Sequence, residues 1–387
     1  MTMNNDAIHF RFIEPLDVLH LRGNKLFGDP GSFGECLIPP WPSVAAGALR
    51  SAMLARDGVD LAAFAQGRVS HPLLGTPDAP GSFTVVGFTL ARRLTCGQVE
   101  SLHALPADLI AETDSRAHRA EAGTESLKLA RLVPMTPVGG LSSSAPLAQW
   151  PVLPHAERKK PASGCWLTQA GWELYLDGQT PKGEHLVRTG ELWQFDSRTG
   201  IGLDTGKRRA ADGQLFTVQA VALRPDVGFL AAVLGAEPTA HGVLRFGGDG
   251  RGATICPIEH QASAINLVRI AQARRARIVL TTPGLFAGGW KLPGMGADQR
   301  LTWPGLSARV ACAAVPRGEV ISGWDMAARG PKPAECVAPV GSVYWLEDID
   351  ATPDALDKLA AQGLWFDSTD NRQRRAEGFN RFTFAAW

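Results

Sequence analysis

Paired cysteines are missing from this sequence. Its six cysteines (Cys36, Cys96, Cys165, Cys256, Cys312 and Cys336) are scattered, with no Cys-x-x-Cys spacing. That argues against a disulfide framework or a zinc site and fits a reducing compartment. Long apolar runs are missing as well, since no stretch approaches the ~18 residues needed to cross a bilayer. The opening Met-Thr-Met-Asn-Asn-Asp has neither the basic start nor the apolar run of a secretion signal. The expectation is a cytoplasmic protein with no membrane partner. Net charge is nearly absent: 39 basic and 38 acidic residues give +1, which rules out a histone-like blanket of charge.

Catalytic signatures are also lacking. A phosphate-binding loop needs Gly-Lys-Ser/Thr opening a helix, and the nearest approach, Gly206-Lys207-Arg208, lacks the hydroxyl that would meet magnesium. There is no Gly-x-Ser-x-Gly elbow and no His-x-x-x-His pair. Gly247-Gly248-Asp249 resembles the turn of nucleotide cyclases, but Gly250 stands where a second carboxylate would be needed to hold metal. We therefore expect no catalytic residue, no metal site, no cofactor, and no enzyme.

What is present is a globular composition, 45% hydrophobic, with 42 glycines and 11 tryptophans, enough to build a core. The charge is locally uneven. Residues 198–209 carry four bases and one acid (+3), 269–277 four bases (+4), 372–381 four bases and one acid (+3), and 347–357 five acids (−5). Such patches suit a protein with an RNA face and protein neighbours, although solvated surface explains any single run equally well.

Alternation of Ile8, Phe10 and Phe12 with His9 and Arg11 predicts a strand at 7–13. A glycine-rich connection then leads to a helix at 43–56, with Ser43 as N-cap and Gly58 as stop. Strands are expected at 83–90 and 127–133, a helix near 98–104, and a mobile loop at 141–160. Further strands fall at 191–195 and 213–223, with the glycine-rich, basic segment between them read as a projecting hairpin. Others fall at 228–234, 243–246, 276–281, 308–315, 342–346 and 379–387, with a helix at 353–362. The class is α+β with two similar halves.

Four features bear on a nucleic-acid site. Ser43, Gly47, Arg50 and Leu54 share one stripe of the first helix. Glycine in mid-helix costs about 1 kcal/mol against alanine, so Gly47 suggests either close approach of a ligand backbone near a phosphate-favouring helix start or packing against another helix. The run Gly247-Gly248-Asp249-Gly250-Arg251-Gly252 offers amides to an RNA backbone, or is simply a tight turn. His20 lies by a basic Leu-Arg-Gly turn, and a lone histidine with a tyrosine or lysine partner can cut RNA. No partner is visible. Residues 377–384 weakly echo the aromatic RNA-binding strand of RRM domains, with Glu377 where a base is usual.

In order along the chain, Pro39-Pro40-x-Pro42-Ser43-x-x-Ala46-Gly47-Ala48-Leu49-Arg50 is followed by Arg198-Thr-Gly200-Ile201-Gly-Leu-Asp204 and Arg209-Ala-Ala-Asp-Gly213-Gln-Leu215-Phe216-Thr217. Leu244-Arg245-Phe-Gly247-Gly248-Asp249, Gly289-Trp290-Lys291 and Gly341-Ser342-Val343-Tyr344-Trp345 come after them. This series resembles the RAMP-superfamily subunit three of type III-B CRISPR (Cmr) effector complexes, over all but the stretch 57–164. The resemblance implies tandem ferredoxin-like (RRM-like) domains with a β-hairpin thumb and glycine-rich loops. It divides the chain at 1–260 and 261–387, with an insertion at about 57–164 and the thumb at about 196–212. It further implies a non-catalytic subunit that recognises the 5′ tag of crRNA, meets target RNA indirectly, and bridges the large polymerase-like subunit to the backbone subunits. RNA contacts are then expected at Ser43, Gly47, Arg50, Arg198, Lys207, Arg208, Arg209, Gly247, Gly248 and Arg251. The alternative is a pre-crRNA endoribonuclease of the same superfamily using His20.

Overall fold

The computed structural model describes residues 7–23, 33–113, 127–143, 145–154, 160–204, 206–207, 209–325, 330–366 and 371–387. In chain order the elements that matter here begin with β1 (His9–Pro15), helix α1 (Pro42–Arg56), β2 (Thr84–Arg93), β3 (Val99–Ala104), β4 (Cys165–Thr168), α2 (Gln169–Leu176) and β5 (Leu186–Arg188). Next come β6 (Trp193–Asp204), β7 (Arg209–Leu223), β8 (Val227–Leu234), β9 (Gly242–Arg245) and β10 (Gly252–Pro257). The last group is α3 (Leu267–Ala273), β11 (Ala276–Leu280), β12 (Arg300–Trp303), β13 (Leu306–Ala314), β14 (Val343–Ala351), α4 (Pro353–Gln362), α5 (Arg372–Ala376) and β15 (Phe382–Ala385). The class is α+β, and the neighbouring strands of both large sheets run antiparallel.

An eight-stranded sheet in the order β5-β4-β3-β2-β8-β1-β10-β9 is built entirely from residues before 258. A five-stranded sheet, β12-β13-β14-β11-β15, is built entirely from residues after 275. Each contains the same four-strand arrangement. In β2-β8-β1-β10 and in β13-β14-β11-β15 the order is second, third, first, fourth, and every neighbour is antiparallel. The first half keeps a helix between its first and second strands (α1), and the second half keeps one between its third and fourth (α4).

Burial follows from pattern. β8 is apolar along its whole length because both its faces are covered. Phe229, Ala231 and Val233 point to the α1 side, while Leu230 joins Phe12, Ala91 and Val99 on the other. α1 buries Ala45, Ala46, Ala48, Leu49, Met53 and Leu54. Burying a leucine or methionine contributes roughly 1.5–3 kcal/mol, so this face fixes the helix on the sheet.

Several local expectations change. Residues 98–104 form strand β3, not a helix: Gly97, at φ 86°, closes a tight turn in which Leu94 N–H meets the Gln98 carbonyl at 2.8 Å, and the chain doubles back to pair with β2. The stretch 57–164, expected as an insertion, supplies β2 and β3, which lie inside the main sheet. The expected loop at 141–160 includes a strand, Trp150–Val152, paired with Val133–Met135. Ser43 is not the N-cap of α1. Trp41 occupies that place with no side-chain cap, and Pro42 takes the first helical position, where its missing N–H costs nothing. Leu54 is 4% exposed and faces the core, not the solvent stripe.

The halves share a core. Leu109, Leu167, Trp172 and Tyr175 pack with Val279, Cys312, Trp345 and Ala385. Trp41, at the mouth of α1, packs with Ile321, Val337, Trp365 and Phe379.

Candidate nucleic-acid interface

In two of the three basic runs part of the charge is buried or paired within the protein. In 269–277, Arg277 is buried against Asp108, Arg269 pairs with Asp177 at 2.7 Å, and Arg275 lies 3.7 Å from Glu347 and 5.1 Å over the Trp387 ring. In 372–381, Arg374 bonds Glu335 at 2.6 Å and Glu377 at 3.1 Å, and Arg381 gives Nη1 to the Ala361 carbonyl. The neighbouring aromatics Phe379, Phe382 and Phe384 are all buried. The stretch that echoes an aromatic RNA-binding strand is therefore core, and its rings are not displayed.

The third run, 198–209, stands apart. β6 and β7 form a long antiparallel hairpin paired from Trp193↔Leu223 to Asp204↔Arg209. The two-residue strand Phe33–Gly34 adds to β7 in parallel. Arg198 is exposed, with Nε 2.8 Å from Asp196. Lys207 is exposed at the turn, its Nζ 3.9 Å from Asp204, and Arg209 is exposed beside it. Arg208 lies outside the described residues. Six residues separate Arg198 from Asp204, or about 20 Å of strand, so the cations occupy both the middle and the tip of the hairpin.

At the base, the structure brings together residues that the sequence keeps far apart. The turn between β9 and β10 folds onto His20. Gly248 N–H donates to the His20 carbonyl at 2.7 Å, and Arg251 places Nη2 3.2 Å from His20 Nε2 and Nη1 3.2 Å from Asp17 Oδ2. Asp249 Oδ2 is 3.8 Å from the same His20 nitrogen. A Cβ on Gly247, where φ is 78°, would fall 2.9 Å from the His20 carbonyl oxygen, so close backbone approach requires glycine there. Gly247 and Gly248 thus serve packing against residue 20, and the Gly248 amide is already engaged within the chain.

His20 is 6% exposed, and burial lowers its pKa most. Asp249 opposes the shift, while Arg251, Arg198 and Arg22 add to it. A neutral imidazole accepting from Arg251 at Nε2 suits that setting. Its Nδ1 is buried with no hydrogen-bond partner among the described residues. Arg251 thus touches His20 directly, and Arg198 and Arg22 lie within electrostatic range of the same ring. Glu35, Val218 and Gln219 line a small crevice with His20 and Arg22 between the hairpin base and residues 34–35. Sequence reasoning noted Arg22 only as a basic turn beside His20 and missed Asp17, which a contact with Arg251, 234 positions away, reveals.

The stripe on α1 divides. Gly47 is exposed, and a Cβ there would meet nothing within 4 Å, so no helix among the described residues packs on it. Ser43 is half-buried in the first turn. Arg50 turns inward, its guanidinium 5.2 Å over the Phe83 ring, where burial lowers its pKa and Glu377 partly restores it. Leu37 N–H bonds the Leu21 carbonyl, and five residues later the helix starts, so its first turn lies within about 20 Å of the histidine cluster.

The family model for the CRISPR-associated protein Cas_Cmr3 matches residues 11–387, almost the whole chain. The chain belongs to that family, subunit three of the type III-B Cmr complex. Two solved chains similar to this Cmr3 member come from cryo-EM structures of the type III-B Cmr-beta complex. One, bound to cognate target RNA, is 14% identical with a TM-score of 0.48. The other, bound to cognate target RNA and AMPPnP, is 13% identical with a TM-score of 0.46. Both alignments cover 97% of this chain and 96% of the other. No curated protein matches the sequence. Among the described residues, no group of three or more His, Cys, Asp or Glu is placed to hold a metal ion. No helix among them is long and apolar enough to cross a membrane.

Proposed function

We propose that this Cmr3 chain is a non-catalytic RNA-binding subunit of a type III-B CRISPR effector in the cytoplasm, holding the 5′ tag of the crRNA. The convergence of Arg22, Arg198 and Arg251 on one small region supports the reading. Guanidinium groups match phosphate oxygens in a two-pronged geometry, and grouping three of them favours a bent single strand over an isolated anion. Lys207, Arg208 and Arg209 extend the grip along the hairpin, while Gly47 and Ser43 leave the first turn of α1 open to a phosphate. Arg50, turned inward over the buried Phe83 ring, has no part in that grip. The repeated second–third–first–fourth strand order supports a tandem ferredoxin-like architecture, each half having lost a different helix. In the assembly, such a subunit bridges the large polymerase-like subunit and the backbone subunits and meets target RNA indirectly.

The test compares a crRNA carrying its tag with one whose tag has been deleted, both titrated against the purified chain. We expect the tagged RNA to bind more tightly and to be recovered intact. Equal affinity would remove tag recognition. Cleavage of repeat RNA that is abolished by His20→Ala would replace this reading with an endoribonuclease.

A further inference from the structure

The hairpin has two chemically different faces, and RNA accounts for one of them. Side chains alternate across a strand. On the even-numbered side of β6 stand Asp196, Arg198 and Asp204, the charged groups described above. On the odd-numbered side stand Phe195, Ser197, Thr199, Ile201 and Leu203, and opposite them on β7 lie Gln219, Thr217 and Leu215. None of these is ionisable. Four are large and apolar yet open: Phe195 is 49% exposed, Ile201 47%, Leu203 68% and Leu215 55%. Ile201 and Leu215 are directly paired across the strands, which brings their Cβ atoms to about 5 Å. Leu203 follows two residues on. At the base, the hairpin is anchored where Trp193 and Val221 enter the main core.

We propose that this uncharged face docks against an apolar surface of a neighbouring protein subunit in the effector. The charge distribution selects that occupant. A phosphate backbone gains nothing from a face without a cation, and among the described residues the hairpin's cations lie on the opposite side and at the tip. Base stacking favours aromatic rings, whereas three of these four side chains are aliphatic. Aliphatic side chains held on a rigid ribbon fit an apolar protein surface, and contiguous exposed apolar residues mark such contacts. The hairpin would then be clamped between RNA on one side and protein on the other. The inference rests on the reading of the chain as an effector subunit.

The experiment co-expresses the other Cmr subunits and a crRNA with equal amounts of wild-type chain and an Ile201→Thr/Leu215→Thr variant. Threonine keeps strand propensity while removing the apolar contact. Native mass spectrometry of the purified complex reads the ratio of the two chains. We expect about tenfold depletion of the variant, while the isolated variant unfolds at the wild-type temperature and binds tagged RNA within twofold of wild type. Leu203→Ser, at the most exposed of the four positions, gives a second reading should the double variant fold poorly. Equal incorporation overturns the proposal. So does a loss of RNA affinity by the isolated variant, which would place RNA on this face, or a wild-type dimer that the variant dissolves. Absence of both chains from the complex would instead remove the subunit reading itself.

Discussion

Arg277 Nη1 donates to Asp108 Oδ2 at 2.6 Å, and neither side chain is more than 1% exposed. Asp108 belongs to the first half and Arg277 to β11 of the second. Their remaining capacity is filled: Tyr175 Oη donates to Asp108 Oδ1 at 2.7 Å, and Arg277 Nη2 gives to the Tyr175 and Ala386 carbonyls at 3.1 and 2.7 Å. The guanidinium also lies 4.3 Å over the Tyr175 ring, while the phenol pKa is raised by burial and by Asp108. This is a closed ionic lock between the halves, and it removes Arg277 from the cations that the run 269–277 could offer to RNA.

Breaking one side of the lock leaves a buried charge alone. Asp108→Ala should destabilise the protein by about 3–5 kcal/mol, read from the midpoint of denaturant unfolding. Adding Arg277→Met should restore much of the loss, because the uncompensated charge is then gone. A cost below about 1 kcal/mol for Asp108→Ala would show that the pair is not sealed from water.

Gly47 lies in open space on α1, so a side chain there meets no neighbour. Gly47→Ala should raise stability by up to about 1 kcal/mol through helix propensity alone. Gly47→Leu should also fold normally, yet bind tagged RNA more weakly. Thermal unfolding beside RNA titration separates the two effects. A leucine variant with unchanged RNA affinity would remove the first turn of α1 from the interface.

His103 stacks on Trp172 with ring centroids 4.4 Å apart, and its Nε2 lies 3.0 Å from Ser101 Oγ. Burial, helped by His260, lowers its pKa from 6.5 to about 3. The unfolded chain therefore takes up a proton below about pH 6.5 that the folded chain refuses until about pH 3. The stability due to the neutral ring is present above pH 6.5 and is lost as pH falls through that window, at up to about 1.4 kcal/mol per pH unit. His103→Phe keeps the stacking and should flatten the slope of stability against pH between 6.5 and 4. An unchanged slope would mean that the ring is protonated in the native protein.

The hairpin tip should act uniformly on RNA sequences. Replacing Lys207, Arg208 and Arg209 by alanine should shallow the slope of log affinity against log salt by about two units, at ~0.7 per single-strand phosphate. Discrimination between tagged and untagged RNA should change little. Loss of that discrimination with no change in salt slope would mean that the tip reads bases instead of phosphates.

Local signals were legible where the pattern was strong. Helix α4 falls at 353–362 as expected, and the hairpin forms where a glycine-rich, basic segment joins two strands. Residues 98–104 misled because Val-Glu-Ser-Leu-His-Ala has no clear period, and pairing with β2 decided its conformation. Ser43 misled because a proline at the first helical position outranks a hydroxyl one residue later. The His20–Arg251–Asp17 cluster could not be read at all. It joins residues 231 and 234 positions apart, and nothing local to either end announces the other. Nor does composition distinguish an arginine that reaches solvent from one, like Arg277 or Arg374, that closes a buried ion pair.

The most direct test of the central claim is RNA binding by the folded Arg198→Ala/Arg251→Ala variant across a range of salt concentrations. Circular dichroism and thermal unfolding check that the variant is folded. If the hairpin base holds tag phosphates, affinity for tagged RNA falls and the salt slope becomes shallower by about 1.4 units, two phosphates' worth. A folded variant that keeps both wild-type affinity and wild-type slope would contradict the account.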